Sequence, residues 1–364
     1  RPVVWEGGGA QSPSLDPIEC ATVLVKSCTK IKCWPMKPFI DSRWSLLGSR
    51  AVVLENRALK VVVLPELGGR VWSIVYKPFD REILWQNPRV PPRRVPFGSC
   101  YDDVWCGGWE ELFPNDVPGT ILGEKYPDHG EVCTIEWDWS AVAVDDSAAV
   151  SLSCRTPISG FRLERRITLR AGEAAVFTEH RLTNEGLDTF PFLWKMHPAF
   201  RVSSGCRIDF PPMTVELEPA FTAGLTGAPA SFPWPHAETP QGRIDLRQVP
   251  PEASKQALFF YGTGYEQGWC AITDVAARLS YGLTFSASVF PSCWLFASFG
   301  GWRGHNVAIL EPSTTYPFEI ERAIERGTAR ALAPRASLET QMALRVETGL
   351  SKVGGVSDSG GFIE

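Results

Sequence analysis

The chain has 364 residues, 44% of them hydrophobic, so it can bury a substantial core in one large domain or two ordinary ones. Its net charge of −5, from 36 Lys and Arg against 41 Asp and Glu, supplies no broad cationic surface and argues against a nucleic-acid partner. No apolar run reaches the roughly 18 residues of a membrane span, and the amino end lacks a basic, apolar and small-residue leader pattern, so a soluble cytoplasmic protein with no membrane partner is expected.

Residues 1–44 differ from the rest of the chain: "EGGGAQSPS" is rich in Gly and Ser and apolar periodicity is poor, which predicts a poorly ordered extension. Cys20, Cys28 and Cys33 lie there without a pair of CxxC units or a nearby histidine, so no metal site is expected, and the ten cysteines of the chain read as free thiols. Residues 45–349 are expected to form one domain. Its texture is short runs of β-branched and aromatic residues separated by Gly, Pro, Asn and Asp. The clearest predicted strands are "ALKVVVLP" from 58, "RVWSIVY" from 70, "CTIEWDW" from 133, "AAVSLSC" from 148, "FRLERRITL" from 161 and "AAVFTEHRLTN" from 174. Further along come "WCAITD" from 269, "CWLFASF" from 293, "NVAILEP" from 306 and "LETQMALRV" from 338. One short helix is predicted, "FEIERAIER" at 318–326, stopped by Gly327. The 30 prolines and 32 glycines fit many turns, and residues 350–364, with "GGVSDSGG", read as a flexible tail. The fold class is all-β, with large antiparallel sheets packed face to face.

The stretch "FLWKMHPAF", residues 192–200, alternates as a half-buried strand and sets Lys195 and His197 on one face. A buried lysine there is costly unless the face opens on a polar cavity, which makes His197 a candidate functional residue. Of the other histidines, His180 and His236 read as surface residues, whereas His129 lies in the turn "YPDHGEV", where loops on a rigid sheet tend to carry ligand-binding groups, Asp128 among them. Glu311 ends the apolar run "VAILEP" and is placed at a strand rim. The segment "CGGWEELFPND", 106–116, reads as a loop combining the flat face of Trp109 with Glu110, Glu111 and Asn115, the mixture of apolar face and polar groups that a sugar requires.

Five motifs in order, "LPELGGRVWSI" from 64, "GGWEELFPN" from 107, "PDHGEV" from 127, "LWKMHPAF" from 193 and "LEPSTTYP" from 310, followed by "LAPRASLE" from 332, resemble those of aldose 1-epimerase (galactose mutarotase-like) proteins. The resemblance spans roughly residues 50–347 and implies that family's β-supersandwich. It also implies interconversion of the α and β anomers of a free sugar or sugar derivative, without a cofactor. By motif, Glu311 would be the general base and His197 the general acid. His129 would bind the sugar near its ring oxygen, with Arg70, Trp109, Glu110, Glu111, Asn115, Asp128, Lys195, Trp302 and Arg303 as further binding residues. Arg70 and Arg303 could hold a phosphate or carboxylate on the sugar, structural ion pairs being their alternative use.

Met196 stands where well-known family members have an asparagine, the family's sugar-binding aspartate has no evident counterpart, and a cation as close as Lys195 would work against protonation of His197. A carbohydrate-binding protein without turnover remains open. So does another sugar-active enzyme on the same scaffold, such as a hexose-phosphate epimerase, a lyase, or a hydrolase pairing Glu110 or Glu111 with Glu311. The expected partner is a monosaccharide or a derivative, and the expected state a monomer or homodimer.

Overall fold

The computed structural model describes residues 37–222 and 224–364. Side-chain alternation sets its strands. In Phe161–Arg170 the buried positions are Phe161, Leu163, Arg165, Ile167 and Leu169, while the intervening residues are only half buried. Repeated along the chain, this pattern makes one apolar face per strand, and two sheets bring those faces together.

The larger sheet has 12 strands and the smaller has 8, and neighbouring strands within both pair antiparallel. The centre of the larger sheet runs Arg70–Tyr76, Trp109–Leu112, Lys195–Arg201, Asn306–Ser313, Ser292–Phe299 and Gln256–Thr263. The smaller sheet includes Phe161–Arg170, Ala175–Asn184 and Ser337–Thr348 at its middle. One large apolar cluster lies between the sheets, with Trp109, Phe113, Phe161, Phe192 and Trp194 among its fully buried members. A second cluster, with Trp85, Tyr101, Trp105, Leu112, Ala199 and Ile309, covers the other face of the larger sheet. That second cover positions the site described below.

The all-β expectation holds, and so does the short helix, observed as Ile320–Glu325. Several boundaries differ. Phe39–Leu46 is a strand paired with Ser49–Glu55, so the predicted extension overruns the domain by several residues, while residues 1–36 lie outside the described ones. The run from 133 is a strand only from Asp138: Gly68 N bonds Ile135 O and Trp137 N bonds Pro65 O, which ties 133–137 to a turn rather than a ladder. The stretch 192–200 is buried throughout instead of half buried, because its strand is central in the larger sheet and covered on both sides. It also breaks in two: Phe190–Phe192 pairs with Arg330–Leu332, and Lys195–Arg201 joins the larger sheet.

The predicted flexible tail is folded. Gly355–Val356 pairs with Phe362–Ile363, and Val353 and Phe362 pack on Trp269 and Ala271. Phe362→Ala is therefore expected to cost about 3 kcal/mol, the low end for truncating a buried phenylalanine. A urea midpoint unchanged by this substitution would show that the segment adds nothing to the fold.

Candidate active site

Three strands carry the site in one cross-strand row. His197 pairs with Glu110 on one side. On the other, the register Lys195↔Ser313 and Ala199↔Ile309 brings His197 opposite Glu311, which itself pairs with Trp294. Between those two points Pro198 and Pro312 supply no N–H, so the ladder is open where the site sits. Gly107 and Gly108, at φ +89° and +83°, let the Trp109–Leu112 strand enter the sheet: a Cβ on Gly107 would come within 2.3 Å of Trp85 O, and one on Gly108 within 2.7 Å of Val71 O.

Above this row lies a cavity of about 190 Å³. Its polar lining is Asp116, His129, Lys195, His197 and Glu311, with Asp102 at its edge, and its apolar lining comes from Trp105, Trp302, Phe221, Phe259, Phe296 and Phe318. Such a two-sided cavity suits a ligand with one apolar and one hydroxylated face.

Lys195 is buried at the polar side, its ammonium held by both Asp116 and Glu311 and lying 4.3 Å from the ring centre of Trp294. Its charge is thus met by two carboxylates instead of acting on His197 alone. Burial alone would raise the Asp116 carboxyl and lower the Lys195 ammonium. The ion pairs outweigh it, so Asp116 is shifted down and Lys195 up. His129 adopts φ +58° and stacks flat on Tyr101, ring centres 3.6 Å apart. Burial opposes its charge, but Asp116 and an Asp128 oxygen 2.8 Å from Nδ1 prevail, and its pKa is raised. The His129 and His197 rings meet edge to face at 6.1 Å.

Of the residues singled out in the sequence, His129, Lys195, His197, Trp302 and Glu311 line this cavity. Asp128 instead orients His129 and accepts the Tyr101 N–H at 3.0 Å. The "GGWEEL" segment is a buried strand, not a sugar-binding loop, and Trp109 is fully enclosed in the core. Glu110 and Glu111 both lie outside the cavity lining, so neither forms an opposed carboxylate pair with Glu311 across a bound sugar. Arg70 is paired with buried Glu110 and donates to Gly107 O at 2.5 Å, which leaves it no role toward a substrate anion. Asn115 donates to Val117 O and Pro127 O and braces the loop. Arg303 pairs with Asp103 at 2.9 Å beside the cavity rather than in it.

A family profile described as a domain of unknown function, DUF5107, matches residues 40–240, more than half of the 364. The chain belongs to the DUF5107 family. Its fold is that of galactose mutarotase-like proteins. A candidate aldose 1-epimerase from Klebsiella pneumoniae subsp. pneumoniae superposes with a TM-score of 0.67 at 14% identity, over 86% of this chain and 84% of the other. A galactose mutarotase-like protein from Clostridium acetobutylicum gives 0.63 at 14% identity, over 86% and 99%. The Slr1438 protein from Synechocystis sp. PCC 6803 gives 0.60 at 17% identity, over 88% and 100%. At these identities the likeness is one of fold.

In this DUF5107 chain the sequence reading missed Tyr101, Trp105 and Asp116, which come from a four-residue helix, its flank and a loop, where no periodicity marks them. It also placed His180 at the surface, whereas that side chain is fully buried, 3.2 Å from Glu111. Glu111 is the hub of a network between the sheets, with Arg165 at 3.2 Å and the Trp194 indole N–H donating at 2.9 Å. Burial would raise its carboxyl, but His180 and Arg165 hold it at about 2. Its ion pairs therefore stabilise the fold above about pH 4.3, the value of an unfolded glutamate, and that contribution is lost as pH falls toward about 2. Glu111→Gln in this DUF5107 chain is expected to cost about 3 kcal/mol at pH 7, because it leaves Arg165 buried and unpaired. The gap should narrow below about pH 4. Equal urea midpoints at pH 7 would show that the network is dispensable.

Proposed function

We propose that the chain interconverts the α and β anomers of a free sugar or sugar derivative by acid–base ring opening. The observation that carries this reading is the facing pair His197 and Glu311 on adjacent strands, at a cavity with one aromatic and one polar side. Glu311 removes the proton of the anomeric hydroxyl while His197 gives one to the ring oxygen. The C1–O5 bond breaks, the anomeric carbon becomes an aldehyde, rotation about C1–C2 exposes its other face, and reversal closes the opposite anomer. His129, with its raised pKa, donates toward oxygens near the ring. Asp116 accepts from hydroxyls and the tryptophans cover the C–H face. No step calls for a cofactor. The seven free cysteines among the described residues suit a reducing, cytoplasmic setting.

A second reading, a binding protein without turnover, draws on the contact between Lys195 and Glu311, since a carboxylate so engaged can accept a hydroxyl without taking its proton. Freshly dissolved α-glucose, α-galactose and related aldoses, followed by polarimetry or NMR, separate the two. Saturable acceleration over the buffer rate supports the enzyme. Buffer rates for every sugar, together with saturable binding, would leave the binding protein.

A further inference from the structure

Glu110 lies outside the cavity, yet its surroundings converge on His197. One Glu110 oxygen is 3.6 Å from His197 Nδ1. The Tyr101 hydroxyl donates to that same oxygen and itself lies 3.2 Å from Nδ1. A phenol carries one proton. With that proton given to Glu110, the Tyr101 oxygen can only accept, and an ionised carboxylate only accepts. Arg70 pairs with the second Glu110 oxygen, which keeps the carboxylate charged although it is fully buried. Both groups facing Nδ1 are thus acceptors. Nδ1 must hold a proton.

We propose that Glu110 and Tyr101 are positioning residues that hold His197 in its Nδ1-protonated form, so that Nε2 is the nitrogen that exchanges a proton with a bound ligand. Other charged or titratable groups around His197 are Glu311 on the neighbouring strand, Lys195 on its own, and His129 and Asp116 from the loops. None of these faces Nδ1 within hydrogen-bond distance among the described residues. The catalytic consequence rests on the anomerase reading, whereas the protonation pattern does not.

Long-range ¹H–¹⁵N NMR of the full chain reads the imidazole tautomer directly. The neutral His197 ring should carry its proton on Nδ1. Tyr101→Phe keeps a ring against His129 and removes the hydroxyl, so the Nδ1–H resonance should move. Glu110→Gln should shift the ring toward the Nε2–H tautomer, and if this variant fails to fold for want of a partner to Arg70, the unaltered chain and Tyr101→Phe still decide. On an aldose that is turned over, Tyr101→Phe should lower kcat about tenfold or more, toward the range of general-acid effects, with KM within about twofold. An Nε2–H tautomer in the unaltered chain would overturn the proposal. So would an Nδ1–H resonance insensitive to Tyr101→Phe, or a moved resonance with unchanged kcat. If no aldose is turned over, the anomerase reading falls and the spectra alone test the positioning.

Discussion

Glu311→Gln should slow anomer interconversion by about 10²-fold or more while leaving sugar binding within a few fold. The amide keeps the shape and hydrogen-bonding reach of the side chain but cannot take a proton, so what is removed is an interaction of the transition state. His197→Asn should cost a similar factor by removing the acid from the opposite strand. Because one group must be ionised and the other protonated, the unaltered protein should show a bell-shaped dependence of rate on pH. His129→Asn, by contrast, should impair both binding and turnover, since His129 meets the cavity as a binding group rather than as the acid itself. Stopped-time polarimetry across pH measures all three. A Glu311→Gln variant with near-normal rates would end the base assignment and turn attention to Asp116, the other carboxylate that shares Lys195.

Lys195→Met should be the most destabilising change in the site, about 5 kcal/mol at pH 7, and should abolish measurable turnover. Asp116 and Glu311 are 6% and 1% exposed, and without the ammonium two nearly buried carboxylates lose their shared counter-ion. The ion pair raises the Lys195 pKa, so its contribution is complete below the unfolded value near 10.4 and is lost only as pH rises through the raised folded one. Acid should narrow the difference, because in the variant the buried carboxyls can take up protons and shed their charge. Thermal melts at pH 7 and pH 4 check this. A fall in Tm of roughly 5–10 °C at pH 7, shrinking at pH 4, is expected for that energy in a domain of this size. An equal Tm at pH 7 would mean that Lys195 bears little of the site's electrostatic load.

Much of the architecture is visible in the sequence because alternation reports directly on burial. Phe161–Arg170 could be read from its apolar alternation and Ser292–Phe299 from its continuous apolar run, and the shared parity of Lys195 and His197 pointed to one face, which is where the cavity lies. Alternation fails where charge is buried. Glu110 and Glu111 look like a solvated loop because adjacent acids seldom enter a central strand. They do so here because each points to a different side, Glu110 to Arg70 and Tyr101, Glu111 across the core to Arg165 and His180. The signal for the second partnership was present: Arg165 and His180 both occupy inward positions of their strands, among Leu163, Ile167, Thr178 and Leu182. Asp116 and Tyr101 gave no such signal, since only the closure of distant loops brings them to Lys195 and His129.

The charges that meet in the cavity come in opposite pairs, Asp116 and Glu311 against Lys195 and, when protonated, His129. Opposed so closely, they cancel beyond a few ångströms. Such a cavity has no means of drawing a charged molecule in from a distance. A ligand must arrive by unguided diffusion and be chosen only after entry, so its rate of capture should barely respond to ionic strength and its selectivity should reside in how long it stays.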